Sequence, residues 1–223
     1  EICACLVGSE MCIRDRFMMV VLSVVFSNMF KFDVEYFPVY LLSGQLIFNF
    51  FNDSTTNAMG AIVANGPLIK KVYVPKYMFV LSRVFSSAIN LLASFTAMIF
   101  VMLAMRVELH YTVLLAPIPL IFIVLFSLGV GLLLSAITVK FRDIMHLYSV
   151  FVTALMYLTP VIYPMSILPE WLKNIVLLNP LTNILTMFRD VMINNMLPSI
   201  SSILLAAVET AIVLVLGLYV FYK

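Results

Sequence analysis

Charged residues are scarce in this chain. They make up 11% of its 223 residues, whereas hydrophobic residues make up 64%. Soluble domains carry about 25% charged residues, so the composition excludes a water-soluble globular fold. The net charge of +2, from thirteen basic and eleven acidic residues, is too small and too scattered for a nucleic-acid surface, which requires clustered Lys and Arg. The composition therefore indicates an integral membrane protein.

Residues that bind metals or carry out catalysis are also few. There are two histidines and three cysteines, and the cysteines (Cys3, Cys5 and Cys12) all lie near the start of the chain, which leaves no basis for a metal site or a disulfide framework. His110 and His146 lie in loops predicted on opposite sides of the membrane. The chain lacks a G-x-x-x-x-G-K-[ST] phosphate loop and a G-x-S-x-G motif. We therefore expect no metal site, no cofactor site and no catalytic residue, so energy for any work must come from a partner.

Long apolar segments predict the fold class. A helix that crosses about 30 Å of hydrocarbon needs about twenty mostly apolar residues. Stretches nearly free of charge predict an all-α integral membrane protein with six transmembrane helices, the first of which is short. The predicted spans are residues 17–30, 38–57, 82–105, 113–138, 147–163 and 199–221.

The distribution of Lys and Arg predicts the orientation, because cytoplasmic loops carry an excess of both. With the start of the chain inside, more basic residues lie in the inner loops than in the outer ones, and most acidic residues lie outside. We expect a multi-pass protein of the bacterial cytoplasmic membrane with both ends in the cytoplasm. The inner basic residues are Lys70, Lys71, Lys76, Lys140, Arg142 and Lys223.

The stretch between the fifth and sixth spans, residues 164–198, is more than a loop. Apolar residues follow helical spacing after Pro169 and again after Asn179 and Pro180. Each piece is too short to span a membrane. We predict two short amphipathic helices, re-entrant or interfacial, on the outer side. The pattern leaves open whether they only cap the bundle or act as a gate.

Some polar residues fall inside the predicted spans. Seven of the nine residues in 49–57 are polar, and polar groups on all sides of a helix cannot face acyl chains, so this end of the second span lies at the cytoplasmic interface or at the entrance of a hydrated cavity. Asn90 belongs to a polar stripe in the third span, which ordinary helix packing also explains. Glu209 lies deep in the sixth span and must be paired, protonated or hydrated. Since Asp53 is the only other acid inside a span, proton-coupled transport has weak support.

Several segments, in order, resemble the permease subunits of ABC-2 type exporters. They are NGPLIKKVYVPK at residues 65–76, FRD at 141–143, YLTPVIYP at 157–164, and NPLT at 179–182 with FR at 188–189. Within that family they are similar to the branch that exports lipid-linked O-antigen, capsule or wall teichoic acid. The resemblance covers residues 17–222. It implies a homodimer of six-helix subunits, each bound to a separate nucleotide-binding subunit that holds ATP and magnesium.

The resemblance also implies roles for particular residues. The loop from Pro67 to Lys76 is expected to dock on the ATPase. Positive-inside anchoring explains its lysines, but it does not explain the proline and tyrosine between them. The short outer helices are expected to form a gate. The implied coupling residues are Pro67, Lys70, Lys71, Tyr73, Pro75 and Lys76; the translocation path contains Asn52, Asp53, Asn90, Tyr157, Tyr163 and Glu209; and the outer gate contains Trp171, Asn179, Pro180, Phe188 and Arg189.

Residues 1–16 depart from the family pattern. They contain all three cysteines and show no amphipathic period, and they resemble a translated sequencing-adapter remnant. We expect them to be non-native, with a truncated transmembrane domain at residues 17–223. Two other functions remain open: an ABC-2 exporter of drugs or small lipids, and an ion-coupled secondary transporter or channel. The sequence does not identify an exported polymer.

Overall fold

The computed structural model describes residues 37–69, 71, 75–107, 111–141, 143–165 and 170–222, and within these ranges the chain forms helices and turns without a strand. The first predicted span and residues 1–16 lie outside them. The α-helices are α1 Phe37–Ala64, α2 Gly66–Ile69, α3 Tyr77–Ala104, α4 Pro117–Lys140, α5 Ile144–Leu158, α6 Glu170–Leu177, α7 Pro180–Met192 and α8 Ile200–Tyr222, and a 3₁₀ helix covers Tyr111–Leu115.

Three segments of the described chain are long and apolar enough to cross a membrane. They are Tyr77–Ala104, Tyr111–Lys140 and Ile200–Tyr222, which correspond to the third, fourth and sixth predicted spans. An all-helical membrane architecture is therefore confirmed for the described residues.

The helices for the second and fifth spans differ from the predicted segments. Helix α1 has 28 residues and continues to Ala64, beyond the predicted end at residue 57. Because residues 49–57 are mostly polar, α1 is not among the three segments that are apolar enough to cross a membrane. Helix α5 has 15 residues and ends at Leu158, before the predicted end at residue 163. Thr159 is extended, with φ −93° and ψ 135°, because the following Pro160 disfavours helical backbone at the preceding residue.

Close helix contacts form the centre of the bundle. Helix α1 packs on α3 and α4, and α4 packs on α8. The α4–α8 contact depends on glycine: the Cα of Gly217 lies so near the carbonyl oxygen of Gly129 that a Cβ there would overlap it. Small residues of this kind let helix backbones approach closely, which is how helices associate in lipid.

The bundle has two distinct ends. Helices α1, α4 and α8 run in one direction: Phe51 and Ala58 of α1 meet Phe126 and Gly131 of α4 in the same order, and Thr112 and Gly129 meet Asn195 and Leu214 in the same order. Helices α3 and α5 run in the other direction. The short helix α2 therefore lies at one end, and α6 and α7 lie toward the opposite end. At about 1.5 Å per residue, α1 is about 42 Å long and reaches from one end to the other.

The two short helices predicted between the fifth and sixth spans are both present, and they have different environments. Glu170, Trp171 and Lys173 of α6 are exposed. Nine of the thirteen residues of α7 are buried, because it packs against α1, α4 and α8 together. The sequence pattern placed Thr182 and Arg189 on a polar face opposite the apolar one. Both residues are nevertheless buried, so this side of α7 is covered at these two positions as well.

Candidate functional site

A polar cleft of about 470 Å³ lies between α1 and α5. Five of the seven polar residues of α1 that the sequence singled out line this cleft, together with hydroxyl groups of α5 and several apolar side chains. The lining residues are Phe48, Asn49, Asn52, Asp53, Thr56, Asn57 and Met59 of α1, and Met145, Tyr148, Ser149, Val152, Thr153 and Met156 of α5. Hydrogen-bonding groups and apolar surface therefore alternate along one groove.

The other two polar residues of this stretch, Ser54 and Thr55, are buried. The hydroxyl of Thr55 donates to the carbonyl of Phe51 at 2.7 Å and accepts a hydrogen bond from the hydroxyl of Tyr148 at 2.6 Å. The hydrogen bond from Tyr148 to Thr55 therefore holds α5 against α1 beside the cleft. The sequence reasoning missed Tyr148, because nothing in its local pattern separates it from a packing aromatic residue.

The predicted path residues do not all come together. Asn52 and Asp53 line the polar cleft. Tyr157 is 68% exposed at the end of α5, and the hydroxyl of Tyr163 donates to its carbonyl at 2.7 Å. Asn90 is exposed on α3. Glu209 of α8 is half-buried, and one of its carboxylate oxygens, Oε2, is buried without a hydrogen-bond partner. Neither Asn90 nor Glu209 lines the polar cleft.

Arg189 of α7 carries a buried guanidinium, since the residue is only 4% exposed. We call Arg189 with Tyr40, Ser43, Pro160 and Val161 the Arg189 cluster. The Cζ atom of Arg189 lies 3.6 Å from the centroid of the Tyr40 ring. A cation over an aromatic face is attracted by the ring quadrupole, most strongly where water is excluded.

All five N–H groups of the Arg189 guanidinium donate hydrogen bonds. Nε donates to Ser43 Oγ at 3.3 Å. Nη1 donates to the Tyr40 hydroxyl at 2.8 Å and to the Pro160 carbonyl at 2.6 Å. Nη2 donates to the carbonyls of Tyr40 at 3.2 Å and Val161 at 3.0 Å. A guanidinium has five N–H donors, so each donor has an acceptor.

Arg189 remains positively charged although it is buried. Desolvation lowers the pKa of Arg189 to about 10, which keeps the guanidinium protonated at neutral pH. A buried charge is costly unless it is hydrogen-bonded, and five acceptors meet that condition. The sequence reasoning named Arg189 and missed its partners Tyr40 and Ser43. They are about 150 positions away in the chain, too far for local periodicity to reveal.

The other residues predicted for the gate are Asn179, Pro180, Phe188 and Trp171, and they have different environments. The Asn179 side chain caps α7 by accepting from the backbone N–H of Leu181 at 3.1 Å, and it donates to Thr159 Oγ1 at 3.0 Å. Pro180 is the first residue of α7, a position that proline suits. Phe188 is fully buried and meets Phe95 of α3 edge to face. Trp171, in contrast, is 67% exposed on α6.

Four of the six predicted coupling residues are described, and they lie at the opposite end of α1. Pro67 is exposed in α2, and Lys71, Pro75 and Lys76 are exposed between α2 and α3. Lys70 and Tyr73 lie outside the described residues. The described part of this segment is therefore accessible to a partner protein.

Comparison with known proteins identifies the family. A family model described as "ABC-2 type transporter" matches residues 11–193. The chain belongs to the ABC-2 type transporter family. The resemblance predicted from the sequence is confirmed, and family membership removes support from the ion-coupled alternative.

Relatives in this family carry related names. An O-antigen export system permease protein RfbA of Klebsiella pneumoniae is 27% identical over 203 residues, which is 89% of this chain and 77% of the relative. The RfbA protein of Myxococcus xanthus is 27% identical over 198 residues, which is 88% of this chain and 76% of the relative. A polysialic acid transport protein KpsM of Escherichia coli is 23% identical over 186 residues, which is 82% of this chain and 71% of the relative. The similarity to the polysaccharide-exporting branch is therefore also confirmed.

Proposed function

We propose that this protein is the permease subunit of an ATP-driven exporter. Its substrate is a lipid-linked polysaccharide or polyol phosphate polymer, such as O-antigen, capsule or teichoic acid, which crosses the bacterial cytoplasmic membrane. The names of the relatives support the substrate class. The observation in this chain that carries the proposal is the polar cleft between α1 and α5.

The chemistry of the polar cleft suits a sugar chain. Carboxamides and hydroxyls both donate and accept hydrogen bonds, so they can replace the water that sugar hydroxyls lose on entering the membrane. Met and Phe side chains between them offer surface to the apolar faces of sugar rings. The volume of about 470 Å³ falls within the range of about 300–1,000 Å³ typical of ligand sites.

The cleft opens on one side, since Thr56, Asn57, Ser149 and Thr153 are exposed. Such residues are costly against acyl chains, so we infer that a second copy of the chain covers them. A homodimer would place two clefts around one path, with Asn90 and Glu209 outside its lining and Tyr157 and Tyr163 toward its outer end.

The energy for transport comes from a separate nucleotide-binding subunit that holds ATP and magnesium. We infer that it docks on the exposed segment from Pro67 to Lys76, that this end of the bundle faces the cytoplasm, and that both chain ends lie there as well. The outer gate is then formed by α6 and α7. This orientation agrees with the excess of Lys over acidic residues in the segment.

Replacing Tyr73 and Pro75 with alanine together tests the coupling assignment. We expect polymer export to fall sharply while ATP hydrolysis continues, because the segment transmits motion and takes no part in hydrolysis. Membrane abundance and dimer formation, measured by immunoblot and cross-linking, should match those of the unmodified protein. Export at the normal rate would show that the segment does not couple the subunits.

Deleting the gene in its own bacterium tests the substrate class. We expect surface polysaccharide to disappear and lipid-linked polymer to accumulate inside the cell, as measured by extraction of both fractions. Restoring the gene should reverse both effects. Unchanged surface polysaccharide together with increased sensitivity to drugs would contradict the proposal and favour an exporter of small amphiphiles.

A further inference from the structure

We propose that Arg189 is the positioning residue that closes the outer end of the polar cleft and connects the gate helix α7 to the coupling segment through α1. This inference rests on the proposed function. It assigns to one buried side chain the transmission of motion from the cytoplasmic end of α1 to the outer end of the bundle.

Arg189 bonds to the two chain segments that continue the walls of the polar cleft, beyond the residues that line it. On α1 it bonds to Tyr40 and Ser43, and beyond the end of α5 it bonds to the carbonyls of Pro160 and Val161. These carbonyls are free to accept because the chain leaves the helix at Thr159. A single guanidinium from α7 therefore joins the two elements whose separation would open the cleft.

The fit around Arg189 leaves little room for independent movement. Gly44 of α1 packs directly against the cluster: a Cβ at that position would lie 2.6 Å from Nη2 of Arg189 and 2.7 Å from the carbonyl oxygen of Val161. The Tyr40 hydroxyl also donates to the Tyr163 carbonyl at 3.2 Å. The start of α1, the turn after α5 and the gate helix are thus packed as one unit.

Helix α1 provides the mechanical link. It is continuous from Phe37 to Ala64, so a tilt at one end moves the other end as well. Asn65 follows α1 directly, and its side chain donates to the carbonyl of Ala61 at 2.7 Å. The carbonyl of Asn65 in turn accepts from the backbone N–H of Leu68 at 3.0 Å, which ties the start of the coupling segment to the helix. Movement of a docked ATPase subunit would therefore reach Tyr40 and Ser43, and through them Arg189.

Lysine should not replace arginine in this role. An ammonium has three donors on a flexible stem and cannot form the planar fork that reaches five acceptors. Arg189→Lys keeps the charge and loses the geometry, whereas Arg189→Gln loses both. If only the charge mattered, the lysine variant would behave as the unmodified protein does.

A cysteine at position 186 can report movement beside Arg189. Thr186 lines a cavity of about 220 Å³ that also contains Tyr40 and Arg189, and its hydroxyl bonds only locally, to the carbonyl of Asn183 at 2.9 Å. The experiment uses the complete transporter with its ATPase subunit, with the three cysteines of this chain replaced by serine and Thr186 replaced by cysteine. Its labelling rate with a membrane-impermeant maleimide is measured without nucleotide and after trapping with ATP and vanadate.

We expect the labelling rate to change by about five-fold or more between the two states in the otherwise unmodified transporter, a typical size for coupling between distant sites. In Arg189→Lys and Arg189→Gln the rate should no longer depend on nucleotide, although ATP hydrolysis and membrane abundance are retained. Lys173→Gln, which removes an exposed cation from the neighbouring helix α6, serves as the matched control and should keep the dependence.

The outcomes separate this inference from the proposed function. Retention of the nucleotide dependence in Arg189→Lys would overturn the inference. If the Arg189 variants fail to accumulate, the double variant Tyr40→Phe with Ser43→Ala decides: loss of the dependence supports the inference, and its persistence overturns it. A transporter with native Arg189 that hydrolyses ATP but moves no polymer would instead contradict the proposed function.

Discussion

Replacing Gly44 with alanine is the sharpest test of the packing around Arg189. A Cβ at this position would lie 2.6 Å from Nη2 of Arg189 and 2.7 Å from the carbonyl oxygen of Val161, and real Cβ contacts essentially never fall below 3.0 Å. One of the two contacted atoms belongs to the backbone and the other to a guanidinium held by five hydrogen bonds. These two atoms are also the donor and the acceptor of one hydrogen bond, Nη2 to the Val161 carbonyl at 3.0 Å, so we expect a Cβ beside both of them to disrupt that bond.

The cost follows from three contributions. Overpacking a well-filled site costs about 1–3 kcal/mol, and losing a hydrogen bond from a charged group costs about 1.5–3 kcal/mol. Alanine in place of glycine within a helix gains about 1 kcal/mol. We therefore expect a net loss of about 3 kcal/mol in the free energy of unfolding, which lowers the Tm of a chain of this size by about 6–12 °C.

Gly60→Ala in the same helix is the matched control. A Cβ at Gly60 would meet only Met145 Cε, at 3.9 Å, an ordinary contact, so this variant should be neutral or slightly stabilised. Thermal unfolding of the detergent-purified proteins, followed by loss of the folded peak in size-exclusion chromatography, gives both values. If Gly44→Ala melts at the same temperature as Gly60→Ala, the packing argument for the Arg189 cluster is refuted.

Three further predictions concern transport. Thr153→Leu places an apolar side chain in the polar cleft and should reduce polymer export at unchanged membrane abundance, whereas Ser86→Leu on the exposed face of α3 should not. Tyr157→Ala should slow polymer export more than it lowers membrane abundance. Equal losses of export and abundance would indicate that Tyr157 only anchors the chain at the membrane interface. With Cys3, Cys5 and Cys12 replaced by serine, Thr112→Cys with Asn195→Cys replaces side chains that meet at 2.9 Å. Oxidation of this pair should block export and reduction should restore it, and each single variant should be insensitive to oxidant.

Hydropathy and periodicity predicted much of the helical layout, because both are local properties. The segments Tyr77–Ala104, Tyr111–Lys140 and Ile200–Tyr222 are apolar over a full membrane thickness, so composition alone located them. The break between α6 and α7 was also predicted, since Asn179 and Pro180 form a capping pair that starts a helix. The length of α1 was underestimated because its polar residues resemble the end of a span.

The environment of α7 could not be predicted in the same way. An amphipathic pattern predicts that one face of a helix is apolar and buried, but it does not predict what covers the opposite face. The pattern therefore left open whether the polar face of α7 meets water or other parts of the protein. In the structure Arg189 of that face is buried, because Tyr40 and Ser43 of α1 and the carbonyls after α5 provide acceptors for its guanidinium.

The sequence by itself determined that this is a helical membrane protein, where three of its spans lie, and which family it resembles. The reason is that the length of an apolar segment, a capping residue and a sequence motif each depend on residues that are close together in the chain. Only the tertiary structure decided that Asn52 and Asp53 line a cleft with α5, and that Arg189 is buried among acceptors from two other elements. Those relations join residues up to about 150 positions apart, and a buried charge is tolerated only where the fold brings its partners within hydrogen-bonding distance.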